Sequence, residues 1–238
     1  MKEVKVYQVN INNLSYQKLI KLRLCDLNLS IQDSCVSKQF GVVLNELGKR
    51  GFLYLKPKIY IGDEWFSPSG TLSISIPFYL FNKRLRELEK KHTGNVEGGT
   101  DEWCLRLLRH EIGHCFDHAY EFSKTSEWKK IFGNPRKKYD PDNYSFDPTT
   151  RDYVKNLEDC YAQAHPDEDF AETFAVWLKY SKKQWKYFYR SSPLALQKLL
   201  YIDKITSEVK SKIPKSIKYD RMCDIRRLKR SLEKHYFL

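Results

Sequence analysis

Between residues 100 and 122 apolar side chains recur every three or four positions. Leu105, Leu108, Ile112, Phe116 and Ala119 fall on one stripe, which predicts a long amphipathic helix. Helical patterns return at 166–180, 193–213 and 219–234, with Pro166 and Pro193 at first-turn positions where a missing N–H is harmless. Upstream, Asp33 precedes a run from Ser37 to Arg50 with Val42, Val43, Leu44 and Leu47 apolar and Gly51 behind it, the pattern of a helix with an aspartate N-cap and a glycine stop. Segments 55–61 and 71–81 are rich in β-branched and aromatic residues and flank a Ser67-Pro68-Ser69-Gly70 turn, so they predict two adjacent strands. A short alternation, VKVYQV, predicts a strand near the N-terminus. Residues 82–91 suit a short charged helix, 92–99 a glycine-rich loop, and 133–152 a proline- and charge-rich connection.

With 238 residues, 41% of them hydrophobic, the chain is long enough to bury one core, and a single domain over 1–238 is expected. No stretch approaches the roughly 18 to 20 apolar residues of a membrane-spanning helix, and the first residues lack the apolar run of a signal peptide. A cytoplasmic protein without membrane insertion is therefore expected, with signal-less secretion left open. The six cysteines are scattered and form no CxxC pair, so they read as reduced thiols, Cys115 among them as a core residue. The formal charge of +12 is uneven: residues 181–238 carry 16 Lys/Arg against 5 Asp/Glu, leaving only +1 for the rest. A basic helical segment at 181–238, interleaved with Trp185, Tyr187, Phe188, Tyr189 and Tyr201, is a candidate contact for nucleic acid or an acidic partner. Its apolar positions, such as Leu194, Leu196, Leu199 and Ile202, suit packing on a core as well.

The chemistry lies in His110-Glu111-Ile112-Gly113-His114, an HExxH motif within the long helix. Histidines at i and i+4 stack one turn apart, nearly opposite the apolar stripe, so both imidazoles can reach one ion. Zinc accepts histidine nitrogen at about 2.0–2.1 Å in a tetrahedral site, and two ligands from adjacent turns meet that geometry. Glu111, beside His110, is placed to take a proton from a water that the zinc activates.

A catalytic zinc needs a third protein ligand. The extended pattern with a third histidine fails, because position 120 is Tyr120, and His118 lies one turn further along the same helix. The segment His165-Pro166-Asp167-Glu168-Asp169-Phe170-Ala171-Glu172 offers a better donor. As a helix it puts Phe170, Phe174 and Trp177 on one face and Glu168 with Glu172 on the other, as befits a ligand and a supporting partner, with Asp167 and Asp169 pointing elsewhere.

HEIGH, followed by Tyr161 and then His165-Pro166-x-Glu168-Asp169-Phe170-Ala171-Glu172-Thr173-Phe174-Ala175, resembles a bacterial zinc-binding metallopeptidase family of the gluzincin group. The likeness spans roughly residues 100 to 205, including Phe132-Gly133-Asn134-Pro135-Arg136. More remotely the arrangement is similar to the anthrax lethal-factor and Pro-Pro endopeptidase group. That resemblance implies Glu168 as the third zinc ligand, Glu172 in support, and Tyr161 as a donor to the oxyanion of the tetrahedral intermediate. It implies an α+β, zincin-like fold: a small twisted sheet packed on the HExxH helix, with residues 70–77 as the candidate edge strand to which a peptide substrate adds. The function so implied is zinc-dependent hydrolysis of peptide bonds. The alternative is a basic nucleic-acid or protein-binding module with a non-catalytic zinc site.

Overall fold

The computed structural model describes residues 10–32, 34–140, 143–158 and 160–237. The strand expected at VKVYQV and the expected cap Asp33 lie outside them. The chain is α+β. Helix α1 (Tyr16–Ile20) leads to α2 (Cys35–Lys49), whose N-cap is Ser34, its hydroxyl accepting from the Ser37 N–H at 3.0 Å. Gly51 follows α2 at φ +88, a conformation that favours glycine.

Strands β1 (Lys58–Gly62) and β2 (Ser73–Pro77) are adjacent, as the sequence suggests, and parallel, pairing Ile59 with Ile74 and Ile61 with Ile76. The strand expected over 71–81 stops at Pro77, which has no N–H to continue the ladder, and Phe78–Phe81 turn as a 3₁₀ helix. Nor is β2 the open edge that the resemblance implies. Its outer side is taken at Ser75, whose N–H donates to the Phe66 carbonyl at 2.7 Å while its carbonyl accepts from the Phe66 N–H at 3.4 Å. The Thr71 hydroxyl accepts from the Ser73 N–H, so this edge offers little backbone to an incoming peptide.

After β2 come α3 (Lys83–Thr93), α4 (Asp101–Tyr120), α5 (Ser126–Phe132), α6 (Pro166–Lys179), α7 (Lys182–Phe188), α8 (Pro193–Val209) and α9 (Leu232–Phe237). The helix expected over 219–234 does not form. Its backbone is committed elsewhere: the Leu228 and Arg230 carbonyls accept from Cys25 and Leu24, and the Leu232 N–H donates to Leu22, while just ahead of it the Lys218 carbonyl accepts from Leu72. Those long-range bonds satisfy groups that a helix would have satisfied locally. Only a 3₁₀ turn at Ile225–Arg227 and the short α9 remain helical there.

The predicted stripe of α4 faces a core built around Phe116, whose ring stacks on Phe174 at 4.8 Å and meets Phe122 and Phe52 at 5.1 and 5.5 Å. Cys115 is buried on α4, its sulfur 4.0 Å from the Ser73 carbonyl of β2 and 3.4 Å from the Ser67 hydroxyl, so β2 lies against the HExxH helix. Trp185 and Leu199 of the basic segment are fully buried in the same core. No helix among the described residues is long and apolar enough to cross a membrane.

Candidate metal centre

Helices α4 and α6 approach each other closely at Gly113. A Cβ there would lie 2.8 Å from the Ala171 Cα, so only glycine permits this spacing. Three residues before Gly113 and one after it, α4 presents His110 and His114 against Glu168 and Glu172, which stand in the same way three before and one after Ala171 on α6. The α6 helix begins at Pro166, with Asp167, Glu168 and Asp169 in its first turn, where carboxylates suit the helix dipole. Its N-cap is His165, whose Nδ1 accepts from the Asp167 N–H at 3.1 Å.

Three donor atoms converge. Glu168 Oε2 lies 2.9 Å from His110 Nε2 and 3.2 Å from His114 Nε2, and the two imidazole nitrogens are 3.1 Å apart. Ligands around a tetrahedral zinc at about 2.05 Å stand about 3.3 Å from one another, so this triangle is within a few tenths of an ångström of what the ion requires. The group could hold a metal ion. Glu111 supplies a further sign: it is only 6% exposed, yet its Oε2 has no hydrogen-bond partner among the described residues. A buried carboxylate oxygen without a partner is costly unless something is bound beside it.

Glu172 is fully buried and accepts four hydrogen bonds. His110 Nδ1 donates at 2.8 Å, the Asn156 N–H at 2.9 Å, the Asn156 side-chain amide at 3.1 Å and the Leu157 N–H at 2.6 Å. The proton on His110 is thereby held at Nδ1, leaving Nε2 to face Glu168 and His114. Burial opposes charge on His110, but Glu168 and Glu172 outweigh it and hold its pKa well above the ordinary value. His114 is raised for the same reason by Glu168. Burial likewise acts to raise Glu168, but His114 and His110 prevail and keep it far below the usual carboxylate range. Glu111 goes the other way, pushed up mainly by burial, with the Glu168 and Glu64 charges adding to it against the two histidines.

Tyr161, in a 3₁₀ turn just before α6, sits with its ring 5.7 Å from His110. His118 stays out of the triangle; its Nδ1 donates to the Thr71 carbonyl at 3.2 Å, and burial with the neighbouring His114 lowers its pKa to about 4. Asp169 points away, as expected, into a buried ion pair with Lys198 at 2.7 Å.

The family model described as "Putative zinc-binding metallo-peptidase" matches residues 104–202. The match takes in α6, all but the first three residues of α4, and nearly the whole stretch over which the two motifs carry the resemblance. No curated protein and no solved structure matches the chain.

Three contributors were not legible in the sequence. Asn156 and Leu157 hold Glu172 largely through backbone N–H groups, which every residue but proline possesses. Tyr139, from the 133–152 connection, brings its hydroxyl to 2.7 Å from that of Tyr161. Among 16 tyrosines nothing distinguished it.

Proposed function

We propose that this chain is a zinc-dependent metallopeptidase of zincin-like architecture, with His110, His114 and Glu168 as the metal ligands, Glu111 as general base and Tyr161 as a donor to the oxyanion. One observation carries the reading: three donor atoms 2.9–3.2 Å apart lie beside a buried glutamate with an unpartnered oxygen. When bound, zinc would polarise a peptide carbonyl and acidify a water molecule. The protein's own parts then have distinct tasks. Glu172 orients His110 through Nδ1, so that Nε2 keeps its lone pair for the ion. Burial raises the proton affinity of Glu111, which suits a carboxylate that must take a proton from water and pass it to the leaving amine. Tyr161 retains its proton near neutral pH, since burial pushes its pKa up, and a neutral phenol can donate to a developing oxyanion.

The intact Glu111 also separates this reading from a structural zinc site, which needs no base and closes its fourth position with protein. The shared core supports treating 1–238 as one domain with the basic segment built into it.

The deciding experiment measures zinc per chain in the wild type, His110→Ala and Glu168→Ala, and peptide-library cleavage by the wild type and Glu111→Gln. One zinc, lost or weakened in both ligand variants, with cleavage abolished in Glu111→Gln, is expected. Zinc retained without Glu168 would transfer the third ligand to another carboxylate. A chain without zinc that binds DNA in a strongly salt-dependent way would move the function to the basic 181–238 segment.

A further inference from the structure

A cavity of about 170 Å³ opens between the first turns of α4 and residues 157–158. Glu102, Trp103 and Arg106 line it from α4, with Thr100 at the helix cap, and Leu157 and Glu158 line it from the other side. Both walls continue into the donor triangle. Trp103 and Arg106 stand seven and four residues before His110, on the same face of α4. On the other wall, the Leu157 N–H donates to Glu172 at 2.6 Å and the Glu158 carbonyl accepts from the Tyr161 N–H at 3.4 Å. The segment that supports His110 and leads to Tyr161 is therefore also the far wall of the cavity. Asn156 clips the two walls together: its side-chain amide donates to the Arg106 carbonyl at 3.2 Å, and its own carbonyl accepts from the Arg106 guanidinium at 3.5 Å.

The charges around this cavity do not cancel. Glu102 and Arg106 form an i,i+4 ion pair at 2.7 Å, and Arg106, with Lys179 adding to it, holds the Glu102 carboxyl below its usual range. That pair closes on itself. The Glu158 carboxylate, by contrast, has no hydrogen-bond or ion-pair partner among the described residues. What remains is a half-buried indole and leucine below an exposed, uncompensated carboxylate. The space suits one side chain and falls short of the about 300–1,000 Å³ of pockets that hold whole small ligands. A lysine or arginine matches it, with methylenes against apolar surface, a cation near an aromatic face and a carboxylate at the end. An acidic side chain would find Arg106 already neutralised and Glu158 repelling it. We infer that this cavity receives a lysine or arginine side chain of the peptide substrate, with Trp103 and Leu157 holding the stem and Glu158 selecting the charge. The inference rests on the peptidase reading and names its substrate class, peptides with a basic residue near the cleaved bond.

The first arm of the test uses the zinc-loaded full chain and paired peptides that differ only in lysine or norleucine at one position near the cleaved bond. Norleucine keeps the stem and removes the charge. The wild type should favour lysine about tenfold in kcat/KM at one such position, as a charge-assisted hydrogen bond predicts. Glu158→Gln should bring that ratio close to one, and Glu158→Lys should turn the preference toward glutamate. A wild type that cleaves without preferring a basic residue at any position, or a preference that survives in both Glu158 variants, would overturn the inference.

The second arm needs neither zinc nor turnover. The Trp103 indole N–H signal, assigned in ¹⁵N spectra by its loss in Trp103→Phe, should shift on titration with a lysine-centred alanine pentapeptide. The norleucine counterpart should bind about tenfold more weakly, and Glu158→Gln should abolish the difference. An indole signal that the lysine peptide leaves unmoved counts against the cavity. A protein that cleaves no peptide yet shows the charge-dependent shift would sink the peptidase reading and leave the cavity standing as a site for a cationic side chain.

Discussion

Glu172 accepts a hydrogen bond from His110 Nδ1 at 2.8 Å while the Asn156 and Leu157 N–H groups donate to its other oxygen at 2.9 and 2.6 Å. A single carboxylate thus joins the HExxH helix, the α6 helix and the loop before it. Its position in the chain, 62 residues from His110, makes the centre dependent on long-range packing. Glu172→Gln keeps the size of the side chain but must present an amide NH₂ to one set of these donors. The expected outcome is a 10- to 100-fold loss of zinc affinity with the circular dichroism spectrum unchanged. A chelator competition assay reads it, and affinity equal to the wild type would remove Glu172 from the support of His110.

Gly113 permits the α4–α6 approach. Gly113→Ala places a methyl 2.8 Å from a backbone Cα, which cannot rotate away, so the helices must separate. A loss of about 1–3 kcal/mol in urea unfolding is expected, together with weaker zinc binding because the donor triangle opens. Gly48→Ala is the control. It too is helical, nothing lies within 4 Å of its Cβ position, and it should be neutral or up to about 1 kcal/mol stabilising. Equal effects at the two sites would show that helix propensity, and not the close approach, governs Gly113.

His118 provides a pH prediction. Burial and then the nearby His114 depress its folded pKa to about 4, below the ordinary value of about 6.5 in an unfolded chain. Between these values the unfolded chain binds more protons than the folded one, so stability is lost as pH falls through that window. His118 should contribute about 2 kcal/mol of difference between pH 7 and pH 5. Metal-free protein unfolded by urea at the two pH values measures it, and His118→Gln should flatten the slope by that amount. A slope unchanged by the substitution would place the acid sensitivity in other groups.

Lys198 and Asp169 form a buried pair 2.7 Å apart, with the Lys198 ammonium also donating to the Asp152 carbonyl and lying 4.0 Å over the Tyr153 ring. Burial raises Asp169 to about 7 even against Lys198. A carboxyl whose folded pKa is raised stabilises least once ionised, so its contribution falls as pH rises from about 4 toward 7 and above. Lys198→Met removes the compensating charge and should cost about 3–5 kcal/mol at pH 8 and less at pH 5, where Asp169 can take up a proton. Adding Asp169→Asn should recover much of the loss at pH 8. A pH-independent cost would mean that the methylene packing of Lys198, and not the pair, matters.

The pattern along the chain was enough for α4, α6 and α8, for the presence of both strands and for the face that carries His110 and His114. These are local properties: apolar spacing, capping residues and the direction in which a helix projects i and i+4 depend on neighbours in sequence. The same periodicity reasoning failed at 219–234. There an apparently helical segment gives carbonyls to Leu24 and Cys25 and an N–H to Leu22, partners that sequence spacing does not reveal. The open edge that the family resemblance implied at β2 is also absent, because Phe66 takes it at Ser75.

At the centre the division is equally physical. HExxH and the α6 carboxylates are each confined to one helix, so their residue types and spacing could be read directly. Their meeting was decided by tertiary structure, through the contact of Gly113 with Ala171. So were the backbone N–H groups that hold Glu172, which no side chain announces, and the pairing of Tyr139 with Tyr161, which depends on where the 133–152 connection runs.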